Sequence, residues 1–447
     1  MTIRQFNDTP LAHYSYAVIS RGKMVLIDPS RNPQAYYELA EKEQATIVAV
    51  FETHPHADFV SSHLQVHKET GANIFVSELV GASYPHETFD EGDTFEFGDV
   101  TIKGIHTPGH SPDGITFHAT CNTSKEEALF TGDTLFIGDV GRPDLREKAG
   151  NMTAKRRELA EAMFDTLQTK FNELSDNVLI YPAHGAGSLC GKNMSDAPSS
   201  TLGKERQGNW AFKIKEKEKF VEEILKDQPF IPSYFGFNVD INKEGAENFL
   251  SSTGNIRVQI GVNKLPLDSL IVDTRPQEDF KNGHLEGSIN IMARNENDKI
   301  ETWLGAIVQP EEKFYLVIES ISVKDEILSR IAKIGYESQI EAIVTLGYDA
   351  DLVATEKLDV KAFKDNLSNY TIVDIRNKSE HNNDPKFESA LNHPLNNLRD
   401  SLANISKEKP LVVHCAGGYR SAAGASILAA NFKQQPVYDL SEAIKEF

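Results

Sequence analysis

Three features are scarce in this sequence: cysteine, positive charge and long apolar runs. Only Cys121, Cys190 and Cys415 are present. They are too few and too scattered for a disulfide framework, so a reducing, cytoplasmic setting is expected. The 46 Lys+Arg against 66 Asp+Glu give a formal charge of −20, which repels a phosphate backbone and argues against a nucleic-acid partner. No run approaches the ~18 apolar residues of a membrane span, and the amino terminus MTIRQFNDTPLAHYSYAV lacks the basic start and apolar stretch of a secretory signal. No membrane partner is expected. What remains is globular in composition, 40% apolar and 25% charged. Its 447 residues imply two or three cores at roughly 150 residues per domain.

Residues 14 to 28 read as two β-rich stretches around Arg21-Gly22, followed by a helical pattern from Pro33 to Lys42. The apolar run Ala45–Phe51 leads directly into Thr53-His54-Pro55-His56-Ala57-Asp58. The same arrangement recurs three times. Val100–Ile105 precedes His106-Thr-Pro-Gly-His110, Ala128–Phe130 precedes Thr131-Gly-Asp133, and Val178–Tyr181 precedes Pro182-Ala-His184. Four strand ends therefore converge on one site of metal-ligand residue types. Alternate spacing of His54, His56 and Asp58 suits an irregular loop directing several side chains at one ion.

A charged, helix-like stretch runs to about Gln228, and Pro229, Pro232 and Gly236 then break it. Beyond lies a weak internal repeat of about 100 residues, in which Leu270-Ile-Val-Asp-Thr-Arg275 matches Thr371-Ile-Val-Asp-Ile-Arg376. Each is followed by a second apolar strand, Phe314–Ile318 in one copy and Pro410–Val413 in the other, and then by helical segments, Asp325 to Ile334 and Ser421 to Ala430. Two small α/β domains with mainly parallel sheets are expected. The boundaries are placed at 1–240, 241–357 and 358–447.

The first half strongly resembles the metallo-β-lactamase superfamily, through its His-x-His-x-Asp motif and the isolated His, Asp and His that follow. Phe59 stands where that motif has its last histidine, and a phenyl ring cannot coordinate a cation, so one metal is expected rather than two. Thr107-Pro-Gly-His110, Thr131-Gly-Asp-Thr-Leu-Phe136, Gly141-Arg-Pro-Asp144 and Tyr181–Ser188 look specifically like the persulfide dioxygenase branch. That resemblance implies an αβ/βα sandwich and one Fe(II) per chain held by His54, His110 and Asp133. Two imidazoles and a carboxylate leave open positions for substrate and O₂. His56, Asp58 and His184 are then supporting or pocket groups. Arg142 either pairs with a substrate anion or forms a structural ion pair with Asp139 or Asp144.

Val412-Val-His-Cys415-Ala416-Gly417-Gly418-Tyr419-Arg420-Ser421 is a strand, a Cys-x₄-Arg loop and a helix start. Amides turned inward by Gly417 and Gly418, with the helix amino terminus, favour a thiolate and its persulfide at Cys415. This resembles rhodanese, with Asp374 and Arg376 in its early motif, Arg420 closing the loop, and Cys415 and Arg420 as the catalytic pair. The earlier copy is similar but reads as silent, with Glu319 taken to stand where the thiol should be. Cys121 reads as structural, and Cys190, close along the chain to His184, as a possible accessory thiol.

Together these resemblances imply an enzyme that oxidises a low-molecular-weight thiol persulfide with O₂ to sulfite and thiol. It is coupled to sulfur transfer through Cys415 that gives thiosulfate. The carrier thiol, whether coenzyme A, glutathione, bacillithiol or cysteine, stays open, and family and size imply a homodimer or tetramer. Two rivals are a glyoxalase II-like zinc thioesterase fused to rhodanese and a non-enzymatic persulfide carrier or sensor.

Overall fold

The computed structural model describes residues 1–145, 156–266 and 268–447. They divide into two compact units, one of Met1–Ser251 with Ala332–Gly335, the other of Ser252–Ile331 with Tyr336–Phe447.

The first unit contains two six-stranded mixed sheets. One is ordered β1 (Thr2–Asp8), β2 (His13–Ser20), β3 (Lys23–Ile27), β4 (Thr46–Phe51), β5 (Asn73–Val76) and β6 (Glu87–Thr88). The other runs through β7 (Thr94–Phe97), β8 (Val100–His106), β9 (Ile115–Cys121), β10 (Glu127–Gly132), β11 (Leu179–Pro182) and β12 (Ser200–Thr201). The near-continuous apolar strands are explained by burial of both faces. Val25, Ile27 and Phe51 from the first sheet interlock with Phe117, Ala128 and Phe130 from the second. Met24, Leu26 and Val50, on the opposite face of the first sheet, pack with Tyr36 and Val66 of the helices Gln34–Lys42 and His63–Thr70. Leu129 and Ile180 pack likewise with the helices Arg156–Thr169 and Lys217–Leu225. The result is an αβ/βα sandwich.

The second unit contains two all-parallel sheets. One is ordered Val258–Val262, Ile340–Leu346, Phe314–Val317, Leu270–Asp273, Ile289–Asn290. The other is ordered Leu391–Asn392, Thr371–Asp374, Leu411–His414, Val437–Asp439. The repeat is visible in detail. In each copy an aspartate at the strand end binds the arginine two residues on, Asp273 with Arg275 and Asp374 with Arg376, both at 2.7 Å. An asparagine amide, Asn290 or Asn392, closes that turn on the backbone carbonyls of the same two residues.

Strand registers equate Asp273–Val317 with Asp374–His414. Ile318 thus stands at the position of Cys415, and Glu319 lies one residue beyond it and is exposed. This corrects the placement of Glu319 at the thiol position. An apolar residue continues the buried strand there, and the carboxylate points to solvent. Among the described residues, no helix is long and apolar enough to cross a membrane.

Candidate metal centre and thiol loop

The four expected strand ends meet. β4 stops at Phe51, β8 at His106, β10 at Gly132 and β11 at Pro182, and backbone bonds tie the following loops together. The Ile115 amide donates to the Thr53 carbonyl at 2.9 Å, and the Ala183 amide to the Gly132 carbonyl at 3.0 Å. Gly132 has φ +52° and a Cβ there would fall 2.6 Å from Thr53 Oγ1, so the approach of the Asp133 loop to the His54 loop requires glycine.

His54, His110 and Asp133 are buried with ligand atoms within 4.8 Å of one another. Asp133 Oδ2 lies 3.8 Å from His54 Nε2 and 3.5 Å from His110 Nε2. The tautomers follow from the partners behind the rings. His110 Nδ1 faces the Arg142 carbonyl at 2.9 Å, an acceptor only, so Nδ1 carries the proton and Nε2 a lone pair. Thr53 Oγ1 donates to Asp28 Oδ2 at 2.8 Å, and therefore accepts from His54 Nδ1 at 3.0 Å. Among the described residues, Asp133 Oδ2 is buried with no hydrogen-bond partner. Three lone-pair donors converge in a buried space, an arrangement that fits one cation. Burial alone would raise the Asp133 pKa, yet the charge and hydrogen bond of His184 hold it well below the usual carboxylate range.

His184 bridges two carboxylates, Nδ1 to Asp133 Oδ1 and Nε2 to Asp58 Oδ2, both at 2.7 Å. Burial opposes its charge, but Asp133 and Asp58 push its pKa well above the ordinary value, so it is an imidazolium that fixes Asp133. His56 sits 3.2 Å from Asp28 Oδ1 and belongs to a buried group with Asp28 and Glu52. The Phe59 ring packs 3.8 Å from His13 and 4.4 Å from His56, centroid to centroid. Aromatic carbon fills the neighbourhood that a further imidazole would serve.

Of the two roles open to Arg142, the structure shows the ion pair with Asp144. Its Nε and Nη2 clamp Asp144 at 2.6 and 2.7 Å, and Nη1 donates to the Leu189 carbonyl. Its backbone carbonyl, instead, orients His110. Cys190 lies near Asp58 and His184, as its closeness along the chain to His184 suggested; burial first, then the charges of Asp133 and Asp58, push its pKa above the ordinary value. Asp28 was not singled out from the sequence, because an isolated aspartate after a strand carries no spacing signal.

In the second unit, Cys415 follows the strand Leu411–His414 and is buried. The Gly418 amide donates to its Sγ at 3.1 Å, and Gly418 has φ +105°, a conformation that glycine adopts at low cost. The helix Tyr419–Asn431 starts at once, so its free amides face the sulfur side. Tyr419 Oη donates to the Met292 carbonyl at 2.9 Å and anchors the loop. Arg420 ends the loop with its charge acting on Cys415, and it has a partner the sequence did not point to. Its Nη1 and Nη2 bind the two carboxylate oxygens of Glu380 at 2.7 and 2.8 Å. Cys121 is a buried free thiol.

Comparison with known proteins gives a consistent outline. The metallo-beta-lactamase superfamily pattern matches residues 8–184, and the rhodanese-like domain pattern matches 261–350 and 359–447. A solved metallo-beta-lactamase structure from Staphylococcus aureus subsp. aureus COL is 32% identical with a TM-score of 0.69, covering 77% of this chain and 99% of that one. The mitochondrial persulfide dioxygenase ETHE1 of Bos taurus is 29% identical over 186 residues, 41% of this chain and 67% of its own. A hydroxyacylglutathione hydrolase of Prochlorococcus marinus is 33% identical over 163 residues, 36% of this chain and 59% of its own.

Proposed function

This chain belongs to the metallo-β-lactamase superfamily and carries two rhodanese-like domains after a metal-binding fold, and from that premise we propose that it is a persulfide dioxygenase coupled to a sulfurtransferase. The observation that carries the reading is Phe59, packed between His13 and His56, beside the buried group His54, His110 and Asp133, two imidazoles and one carboxylate. Two imidazoles and one carboxylate are the donor types that would suit a non-haem Fe(II) of the kind oxygenases use. The similarity to the bovine persulfide dioxygenase supports it.

His54, His110 and Asp133 would hold one Fe(II), which supplies dioxygen chemistry when bound. The protein's own part is orientation. Asp28 acting through Thr53 aims His54, the Arg142 carbonyl aims His110, and the His184 imidazolium aims Asp133. Their burial keeps bulk water from these groups. The overall reaction balances as R–S–S⁻ + O₂ + H₂O giving R–SH + SO₃²⁻ + H⁺. At Cys415 the thiolate attacks the terminal sulfur of a second persulfide, R–S⁻ leaves, and sulfite then takes that sulfur as thiosulfate, restoring the thiolate.

The alternative, a zinc thioesterase, draws on the similarity to the hydroxyacylglutathione hydrolase. One assay separates the two. Anaerobically prepared iron-loaded protein is given several thiol persulfides and O₂, or an S-acyl thiol, with sulfite and thiosulfate measured. Wild type should form thiosulfate, and Cys415→Ser should accumulate sulfite in its place. Hydrolysis of the S-acyl thiol without O₂ uptake on persulfide would overturn the proposal.

A further inference from the structure

The pairing of Arg420 has a chemical consequence for what enters the Cys415 loop. Its guanidinium is forked onto Glu380 through two charge-assisted hydrogen bonds, the strongest geometry available to an arginine. Glu380 is itself fixed. It is the third residue of the helix Lys378–Asn383, and its Oε2 accepts the Asn377 amide in a capping box. Arg420 also lies over the Trp303 ring at 5.8 Å. Two partners on different elements therefore hold it. The next cation, Arg376, is bound to Asp374. Burial raises the Glu380 pKa, but the Arg420 bond and charge more than offset this and hold the carboxylate ionised. The guanidinium whose charge reaches Cys415 is thus paired with a carboxylate and is not an open cationic cradle.

We propose that Glu380 is a positioning and specificity-determining residue, which cancels the charge of Arg420 and biases the Cys415 site toward neutral or monoanionic sulfur donors and against the dianion thiosulfate. This rests on the sulfur-transfer reading of Cys415. A persulfide delivers its terminal sulfur as Cys415–S⁻ + R–S–SH giving Cys415–S–SH + R–S⁻. After loss of the proton, Cys415–S–S⁻ + SO₃²⁻ gives Cys415–S⁻ + S₂O₃²⁻. A neutralised site holds the thiosulfate dianion weakly, so thiosulfate is a weak donor; the sulfite dianion, as acceptor, is held as weakly.

The test uses the full chain in thiosulfate-to-cyanide and thiosulfate-to-dithiothreitol sulfur transfer, which bypass the metal centre. Glu380→Gln removes one negative charge from the Arg420 pair. Its KM for thiosulfate should fall about fivefold, the effect of one unit charge on a dianion across roughly 8 Å of solvent-like medium. Its kcat should stay within about twofold, and the KM for neutral dithiothreitol should not change. Its thiosulfate KM should also rise with added KCl where that of wild type is nearly flat. Glu380→Asp, which keeps the charge, should return the KM toward wild type. An unchanged or higher thiosulfate KM in Glu380→Gln with a reduced kcat would overturn the inference, as would a steep salt dependence of KM in wild type, which needs no variant to fold. Wild-type protein that carries no sulfur on Cys415 by mass spectrometry would instead sink the transfer reading, and this inference with it.

Discussion

Thr53→Val isolates the support behind the metal centre, because valine keeps the shape of threonine and removes only Oγ1. That oxygen donates to Asp28 Oδ2 at 2.8 Å and accepts from His54 Nδ1 at 3.0 Å. Asp28 is buried, and it would keep the Thr53 backbone amide at 2.7 Å but lose one charge-assisted bond, worth ~1.5–3 kcal/mol. His54 would lose the acceptor that fixes its tautomer, and its Nε2 lone pair would no longer be guaranteed to face Asp133. Loss of such a partner lowers metal affinity by about 10–100-fold. Two readouts separate these effects. Urea unfolding of metal-free protein, followed by Trp210 fluorescence in a Trp303→Phe background, reports the first unit, which contains Trp210. Chelator competition reports metal affinity. Thr53→Ser, which retains the hydroxyl, should behave as wild type in both. Metal affinity within about twofold of wild type in Thr53→Val would refute the relay from Asp28 to His54.

Phe59→His should raise metal content from one equivalent toward two by elemental analysis, with Asp58 and His184 nearby as partners. An unchanged ratio would mean that the site excludes a second cation for another reason. Glu319→Ala should leave sulfur transfer and stability unaltered, because the carboxylate is exposed and off the thiol register. A loss of turnover with intact folding would contradict this. Asp374 is held below its ordinary pKa: burial raises it, but the Arg376 side-chain and backbone bonds, the His414 charge and the His381 bond together lower it further. Its stabilisation is therefore complete above the unfolded value of ~3.9 and is lost as pH falls through the lower folded value. Trp303 fluorescence in urea, in a Trp210→Phe background, should show the second unit weakening through that acid window, and Asp374→Asn should reduce the slope to the share of Glu312 and Glu380, whose pKa values are also lowered.

Much of the fold was legible because burial of both sheet faces leaves a strong imprint. The runs around Val25, Val50, Val100 and Leu129 announced strands, and the polar residues just past each announced a common edge. The repeat was legible because Asp273 and Asp374 each need an arginine two residues on. Cys415 was legible because a Gly-Gly turn has few other uses. What was left open or misplaced shares a cause. Two partners stayed open for Arg142, Glu380 was not foreseen for Arg420, and Glu319 was misplaced by one residue, because spacing alone does not reveal which partner a long charged chain reaches.

The sequence by itself determined the layers, the edge where His54, His110 and Asp133 gather, and the place of the thiol, because periodicity and glycine placement act locally along the chain. Tertiary structure alone decided the pairings. Asp28 reaches His54 through Thr53, Arg142 gives its guanidinium to Asp144 and its carbonyl to His110, and Glu380 takes Arg420. These depend on distances between segments that lie far apart along the chain, and a hydrogen bond is chosen to within a few tenths of an ångström, a precision no linear pattern carries.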